Sequence, residues 1–133
     1  MKNRSFLTAL AVLFLIPFSS GNAQEKPGAV AHVNPAEAQK LIGEKEVRVL
    51  DLRTPEEFAA GHIAGAVNVD FRAPDFEQKI AALDKAPRYV VHCASGNRSE
   101  KALPLLQKHG FEHLYHLDGG FIAWEKAGLP MEK

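Results

Sequence analysis

After a strongly apolar opening stretch, the hydrophobic pattern of the chain switches repeatedly between an alternating period and one of three to four residues, so short strands and helices should follow one another. Residues 31–33, "AHV", read as a brief strand. Asn34 then caps a helix with Pro35 at its first position and Glu37 three residues after the cap, and Ala38, Leu41 and Ile42 form its apolar face. "VRVLDL" at 47–52 is a second strand, after which Thr54, Pro55 and Glu57 repeat the same helix-start signal. "GAVNV" at 65–69 predicts a third strand. "DFEQKIAAL" at 75–83 predicts a third helix with Phe76, Ile80 and Leu83 facing inward. A strand "RYVVHC" at 88–93, a helix "SEKALPLLQKHG" at 99–110, a strand "HLYHL" at 113–117 and a helix "FIAWEKAG" at 121–128 complete the series.

Strands that alternate with helices through short joints point to an α/β fold, a central parallel sheet of about five strands with helices on both faces. Such sheets place ligands beyond the carboxyl ends of their strands. The chain has 133 residues and no internal repeat, which suits one domain, expected over 30–133, with a single modest core. Pro104 interrupts the fourth predicted helix, where it removes a backbone donor and should kink or shorten it.

The opening stretch changes where this domain is expected to work. Lys2 and Arg4 precede an apolar run from Phe6 to Phe18 broken only by Thr8 and Pro17, and Gly21 and Ala23 lie just before a cleavage point ahead of Gln24. That is the layout of a signal peptide over residues 1–23, giving an exported, periplasmic protein. The apolar run falls well short of the ~20 residues that span a bilayer, so no membrane anchor is expected after cleavage. Residues 24–29, with Pro27 and Gly28, read as a disordered lead-in. Lysine plus arginine equal aspartate plus glutamate at 16 each, and no basic patch interleaves with aromatics, which argues against a nucleic-acid partner.

Export sharpens the meaning of Cys93, the only cysteine, because an intramolecular disulfide is impossible and an oxidising compartment leaves an intermolecular bridge, a buried inert thiol or a reactive one. Cys93 stands where the apolar run "YVV" gives way to the short polar stretch "CASGNR" ahead of a helix. Gly96 lets the backbone turn so that successive N–H groups face the sulfur, and the first turn of the following helix adds its unsatisfied donors. A helix dipole contributes roughly 0.3–1 kcal/mol, whereas one pKa unit is about 1.4 kcal/mol. The dipole alone is therefore too weak to bring a thiol from ~8.5 to below neutrality, and direct hydrogen bonds from the loop must supply the rest.

Three ordered blocks then carry a family resemblance: "VLDLRTPEEFAAGHIAGAVNV", "HCASGNRS" and "GFEHLYHLDGGFIAWEKAGLP". Together they resemble the rhodanese-like single-domain sulfurtransferases of the exported type. The resemblance implies the rhodanese-like fold and a Cys93 persulfide that takes sulfur from a donor such as thiosulfate and hands it to a thiophilic acceptor, cyanide or a thiol. It implies small-molecule partners, with a periplasmic thiol protein as a further acceptor, and no metal or organic cofactor. Position by position, Cys93 matches the nucleophile. Ala94, Ser95, Gly96 and Asn97 match the persulfide-holding loop, Arg98 closes that loop as a catalytic residue, and Ser99 opens the next helix. Asp51 and Arg53 match a structural Asp-x-Arg, with Asp51 bracing backbone and Arg53 in a buried or half-buried ion pair. His62 matches a structural imidazole in a turn with Gly61 and Gly65. Gly119, Gly120 and Trp124 match a closing turn and a core indole.

Two rival readings remain open on the sequence. Cysteine-dependent phosphatases and arsenate reductases have similar loops but carry five residues between Cys and Arg, where this chain has four, Ala94 to Asn97; the smaller cradle suits one added sulfur. A non-catalytic sulfide-, persulfide- or protein-binding module would ordinarily lack the cysteine or the arginine, and both are present. The histidines at 32, 62, 92, 109, 113 and 116 are expected to offer no close metal-ligand set, since alternation on a strand sends His113 and His116 to opposite faces. Asn97 begins an "NRS" sequon that a glycan would turn into a lid over the thiol, so the match is read as coincidence. Lys101 is read as a solvated helix lysine that can also draw in an anionic donor.

Overall fold

The structure, a computed structural model, describes residues 28–133. The expected leader and residues 24–27 of the lead-in lie outside the described residues. Gly28 is already tied to the domain, its N–H donating to Glu112 O at 2.9 Å and its carbonyl accepting from Gln107 Nε2 at 2.6 Å.

Five strands form one parallel sheet: β1 (Val30–Val33), β2 (Val47–Asp51), β3 (Val67–Asn68), β4 (Arg88–His92) and β5 (Leu114–Leu117), in the spatial order β1-β5-β4-β2-β3. Between them run α1 (Pro35–Ile42), α2 (Pro55–Ala60), α3 (Phe76–Ala81) and α4 (Asn97–Lys108), and α5 (Gly120–Lys126) follows β5. Asn34 Oδ1 accepts from Glu37 N at 2.9 Å to cap α1. Thr54 and Glu57 form a reciprocal capping box at the start of α2. β3 is shorter than its sequence run because only Val67 and Asn68 pair with β2, at the edge of the sheet.

Alternation along the strands builds two cores. Leu50, Val91 and Leu114 face α3 and α4, where they meet Phe76, Ile80, Ala102 and Leu106. Val49, Val90, Tyr115 and Leu117 face α1 and α5, where they meet Ala38, Phe121 and Trp124. Both faces are thus covered, as a parallel sheet requires.

Pro104 does not shorten its helix. α4 continues unbroken from Asn97 to Lys108, because Pro104 lies on the exposed side, where the carbonyl deprived of its donor is turned toward water. The helix also begins at Asn97, ahead of the expected start. The register between β4 and β5 sets Val91 beside His116, and that between β1 and β5 sets His32 beside His116. Cys93, two residues beyond Val91, therefore projects on the α4 face, as do both histidines.

Candidate active site

Cys93 follows the last residue of β4 and is 1% exposed, yet its sulfur is not walled in apolar packing. Gly96 N–H donates to Sγ at 3.1 Å, and Ser99 Oγ lies 3.4 Å from it. Gly96 adopts φ +112°, the left-handed conformation expected from the sequence, immediately ahead of α4. Burial pushes the Cys93 thiol up, but it is outweighed by the Ser99 hydroxyl and the N–H groups of Ser99, Gly96 and Ser95, which together bring the thiol below its ordinary value. The anion cradle expected from the loop is therefore formed around the sulfur.

The cradle depends on what happens to the loop's carbonyls. Cys93 O accepts from Phe121 N at 2.8 Å and lies 3.0 Å from His92 Nδ1, and Ala94 O accepts from Ile122 N at 3.0 Å. The amides that open α5 thus hold these carbonyls away from the sulfur, leaving the following N–H groups free to face it. Gly120 makes the approach possible: a Cβ there would stand 2.5 Å from Ala94 O and 2.6 Å from Cys93 O.

Arg98 closes the loop differently from a direct contact with sulfur. Its NH1 and NH2 donate to the two Glu57 carboxylate oxygens at 2.8 and 3.0 Å, a two-pronged pair between the first turn of α4 and α2. The guanidinium holds the Glu57 carboxyl down at about 2, and the arginine itself is raised first by Glu57 and to a smaller degree by the charge at Cys93. Asn97 and Ser95 are exposed; Ser99 is fully buried, and Lys101 is exposed on α4.

Asp51 and Arg53 form a buried pair at 2.8 Å; Asp51 Oδ1 also accepts from Arg53 N, and Arg53 NH2 donates to Gly61 O at 2.8 Å. The Arg53 guanidinium lies 4.0 Å over the Phe121 ring. His62 stacks on Phe58 at 3.7 Å, with Nδ1 at 2.8 Å from Phe58 O and Nε2 at 3.3 Å from Glu132, which suits a structural imidazole. Gly65 takes a positive φ in the turn before β3. Trp124 is core, its Nε1 donating to Pro130 O at 2.9 Å. A cavity of about 410 Å³ opens beside the loop, lined by Arg53, Glu57, Gly61, Ala94, Phe121 and Ile122.

One expectation needs correction: two of the histidines do enter a close set of side chains, which their spacing did not offer. His32, His116 and Asp118 converge, with donor and acceptor atoms all within 4.8 Å of one another. The cause is the parallel pairing of β1 with β5, which no spacing along the sequence reveals. Both Nδ1 atoms are engaged with the same Asp118 oxygen, His32 at 2.7 Å and His116 at 3.0 Å, so the group is a closed hydrogen-bonded cluster. His116 Nε2 meets Ser99 Oγ at 2.7 Å, and the cluster thereby reaches the thiol. The pattern His-x-Asp at a strand end was the available signal for His116 and Asp118.

Residues 34–127 match the Rhodanese-like domain family. The chain belongs to that family. It is 40% identical over 93 residues to thiosulfate sulfurtransferase 16, chloroplastic, of Arabidopsis thaliana, a match that covers 62% of this chain and 78% of the relative. It is 34% identical over 97 residues to a tRNA uridine(34) hydroxylase of Acaryochloris marina, covering 70% of this chain but only 31% of that longer relative. The crystal structure of a rhodanese-related protein from Thermoplasma volcanium superposes with a TM-score of 0.68 at 31% identity, covering 77% of this chain and 97% of that one. This rhodanese-like chain therefore has both sulfurtransferases and a hydroxylase among its relatives, and its own chemistry must be argued from the loop.

Proposed function

We propose that this rhodanese-like protein is an exported, periplasmic sulfurtransferase that moves sulfane sulfur from a donor such as thiosulfate to cyanide or a thiol. The observation that carries the reading is the orientation of the loop: Gly96 N–H reaches Sγ at 3.1 Å while the carbonyls of Cys93 and Ala94 are held by α5. Such a cradle favours a thiolate and the charge that develops on transferred sulfur. Export is supported by the basic start, apolar run and small residues of positions 1–23.

The chemistry balances without a redox partner in the first step. Cys93 thiolate attacks the outer sulfur of thiosulfate; an S–S bond forms at Sγ, the bond inside thiosulfate breaks, and sulfite leaves with the electron pair. Cyanide then attacks the outer sulfur of the persulfide, thiocyanate leaves, and the thiolate returns, a ping-pong cycle through a covalent intermediate. Arg98 supports this by fixing the first turn of α4, from which Ser99 N–H and Oγ face the sulfur.

The test is intact-mass measurement after thiosulfate, followed by thiocyanate assay. One added sulfur on the wild type, none on Cys93→Ser, and cyanide-dependent release support the cycle. A Cys93→Ser protein that still made thiocyanate overturns it. Sulfur loading with no release to any acceptor overturns the transferase reading in favour of a persulfide-binding module.

A further inference from the structure

His116 and Asp118, behind Ser99, have no part in the cycle just described, and both are groups able to take a proton. Ser99 Oγ lies 3.4 Å from Cys93 Sγ and 2.7 Å from His116 Nε2, and His116 Nδ1 lies 3.0 Å from Asp118 Oδ1. Cys93, Ser99 and His116 are 1%, 0% and 3% exposed. From these contacts we infer that His116, oriented by Asp118, is the proton acceptor for Cys93, acting through the Ser99 hydroxyl. The inference rests on the sulfurtransferase reading for its purpose but concerns only how the thiol ionises.

The hydrogen bonds set the direction of transfer. A carboxylate only accepts, so Asp118 requires a proton on His116 Nδ1, and neutral His116 then presents a lone pair at Nε2. Ser99 has one proton. Gly96 O also lies 3.1 Å from Ser99 Oγ, but with His116 neutral the proton is donated along the shorter 2.7 Å contact to Nε2, and the hydroxyl oxygen faces the Cys93 S–H. On transfer, the S–H bond breaks and its proton passes to Ser99 Oγ while the proton of Ser99 passes to Nε2. The products are a thiolate and an imidazolium, with no change in electron count. The imidazolium now donates to Ser99 Oγ, and the hydroxyl donates to the sulfur anion it has just helped to form. One reversal of two hydrogen bonds thus couples the two charges.

The surroundings favour that pair. Asp118 is held below the ordinary carboxylate range, chiefly by His32 against the effect of burial and then by His116, so it remains an anion for the imidazolium to face. The groups around the His116 ring are His32 from β1, Asp118 beyond β5, Cys93 and His92 from the end of β4, and the Ser99 hydroxyl from α4. His92, kept neutral mainly by burial, adds no competing positive charge.

The experiment is a pH titration of the Cys93 thiolate by ultraviolet absorbance, paired with iodoacetamide alkylation rates, in wild type, His116→Gln and Asp118→Asn. Glutamine can still hydrogen-bond but cannot take a proton. The thiol midpoint should rise by about one unit in His116→Gln, a tenfold loss of reactivity well below the midpoint that vanishes well above it. Asp118→Asn, altered on the surface and leaving His116 in place, should shift it in the same direction by less. Coincident titration curves for all three proteins, or an alkylation loss equal at every pH, would overturn the relay. If His116→Gln fails to fold, Asp118→Asn decides alone. Neither measurement needs a sulfur donor, so a shifted midpoint without thiocyanate production would sink the transferase reading and leave the relay standing.

Discussion

Arg98 grips the Glu57 carboxylate with both terminal guanidinium nitrogens, at 2.8 and 3.0 Å, and so acts on Cys93 through the position of α4 rather than by a hydrogen bond to sulfur. Both members matter equally to that arrangement. Glu57→Gln keeps the α2 capping box, since glutamine serves there as well as glutamate, but loses the charge that Arg98 holds. Arg98→Ala and Glu57→Gln should each lower kcat/KM for thiosulfate by on the order of tenfold, and the double variant by no more than the worse single one. Independent, multiplying effects in steady-state assays would show that Arg98 contacts the donor instead.

Gly120 sets the contact between α5 and the loop. Its φ of +59° costs any other residue on the order of 1–3 kcal/mol, and a methyl group at that site would collide with the carbonyls of Cys93 and Ala94 at 2.6 and 2.5 Å. Gly120→Ala should therefore lower the urea midpoint and at the same time raise the thiol's ionisation midpoint, because a displaced loop no longer aims Gly96 N–H at the sulfur. A stable variant with an unaltered thiol would refute the role given to this contact.

How much of this could be read from the chain divides along a physical line. Local signals were legible: Asn34 and Thr54 as caps, the strand before Cys93 and Gly96 as the turn that aims the amides all follow from nearest neighbours. The family blocks implied an ion pair for Arg53 and a core position for Trp124, but not that Asp51 is the partner of Arg53. What escaped depends on which strands lie side by side. His32 and His116 are 84 positions apart and meet only because β1 pairs with β5 in parallel register. The partner of Arg98 escaped for the same reason, since Glu57 is on α2 and nothing in the loop's spacing specifies it. The shortening expected of Pro104 does not occur, since on the exposed side the freed carbonyl can reach water, although the helix still carries the proline's unfavourable propensity.

Pro104 accordingly predicts a stabilising change. It lies in the interior of α4, on the exposed side and beyond the first turn that faces the thiol. Pro104→Ala restores a backbone donor and removes a helix-interior proline, for which intrinsic propensity differs by about 3 kcal/mol. A gain of about 1–3 kcal/mol in urea unfolding is expected, with thiosulfate turnover unchanged. A loss of stability would mean that the ring packs against something the helix needs.

His92 makes stability depend on pH over a window of its own. Its ring is fully buried, Nδ1 donates to Cys93 O at 3.0 Å, and Nε2 is, among the described residues, the buried side-chain nitrogen or oxygen left without a hydrogen-bond partner, 3.6 Å from Asp51 Oδ2. Burial, the dominant cause, lowers its affinity for a proton even though Asp51 works the other way. The folded protein then binds fewer protons here than the unfolded chain below pH ~6.5. Stability from this group is complete above that value and falls as the solution is acidified, by up to about 1.4 kcal/mol per pH unit until the folded form itself protonates. Glu57 behaves as a depressed carboxylate, so its contribution is present above 4.5 and is lost only as pH falls toward about 2. Urea unfolding of wild type and His92→Asn between pH 8 and 5 separates the two. The wild type should weaken steadily below pH ~6.5, and the variant, less stable at pH 8, should be nearly flat across the same range. Parallel curves would show that the acid sensitivity in that window arises elsewhere.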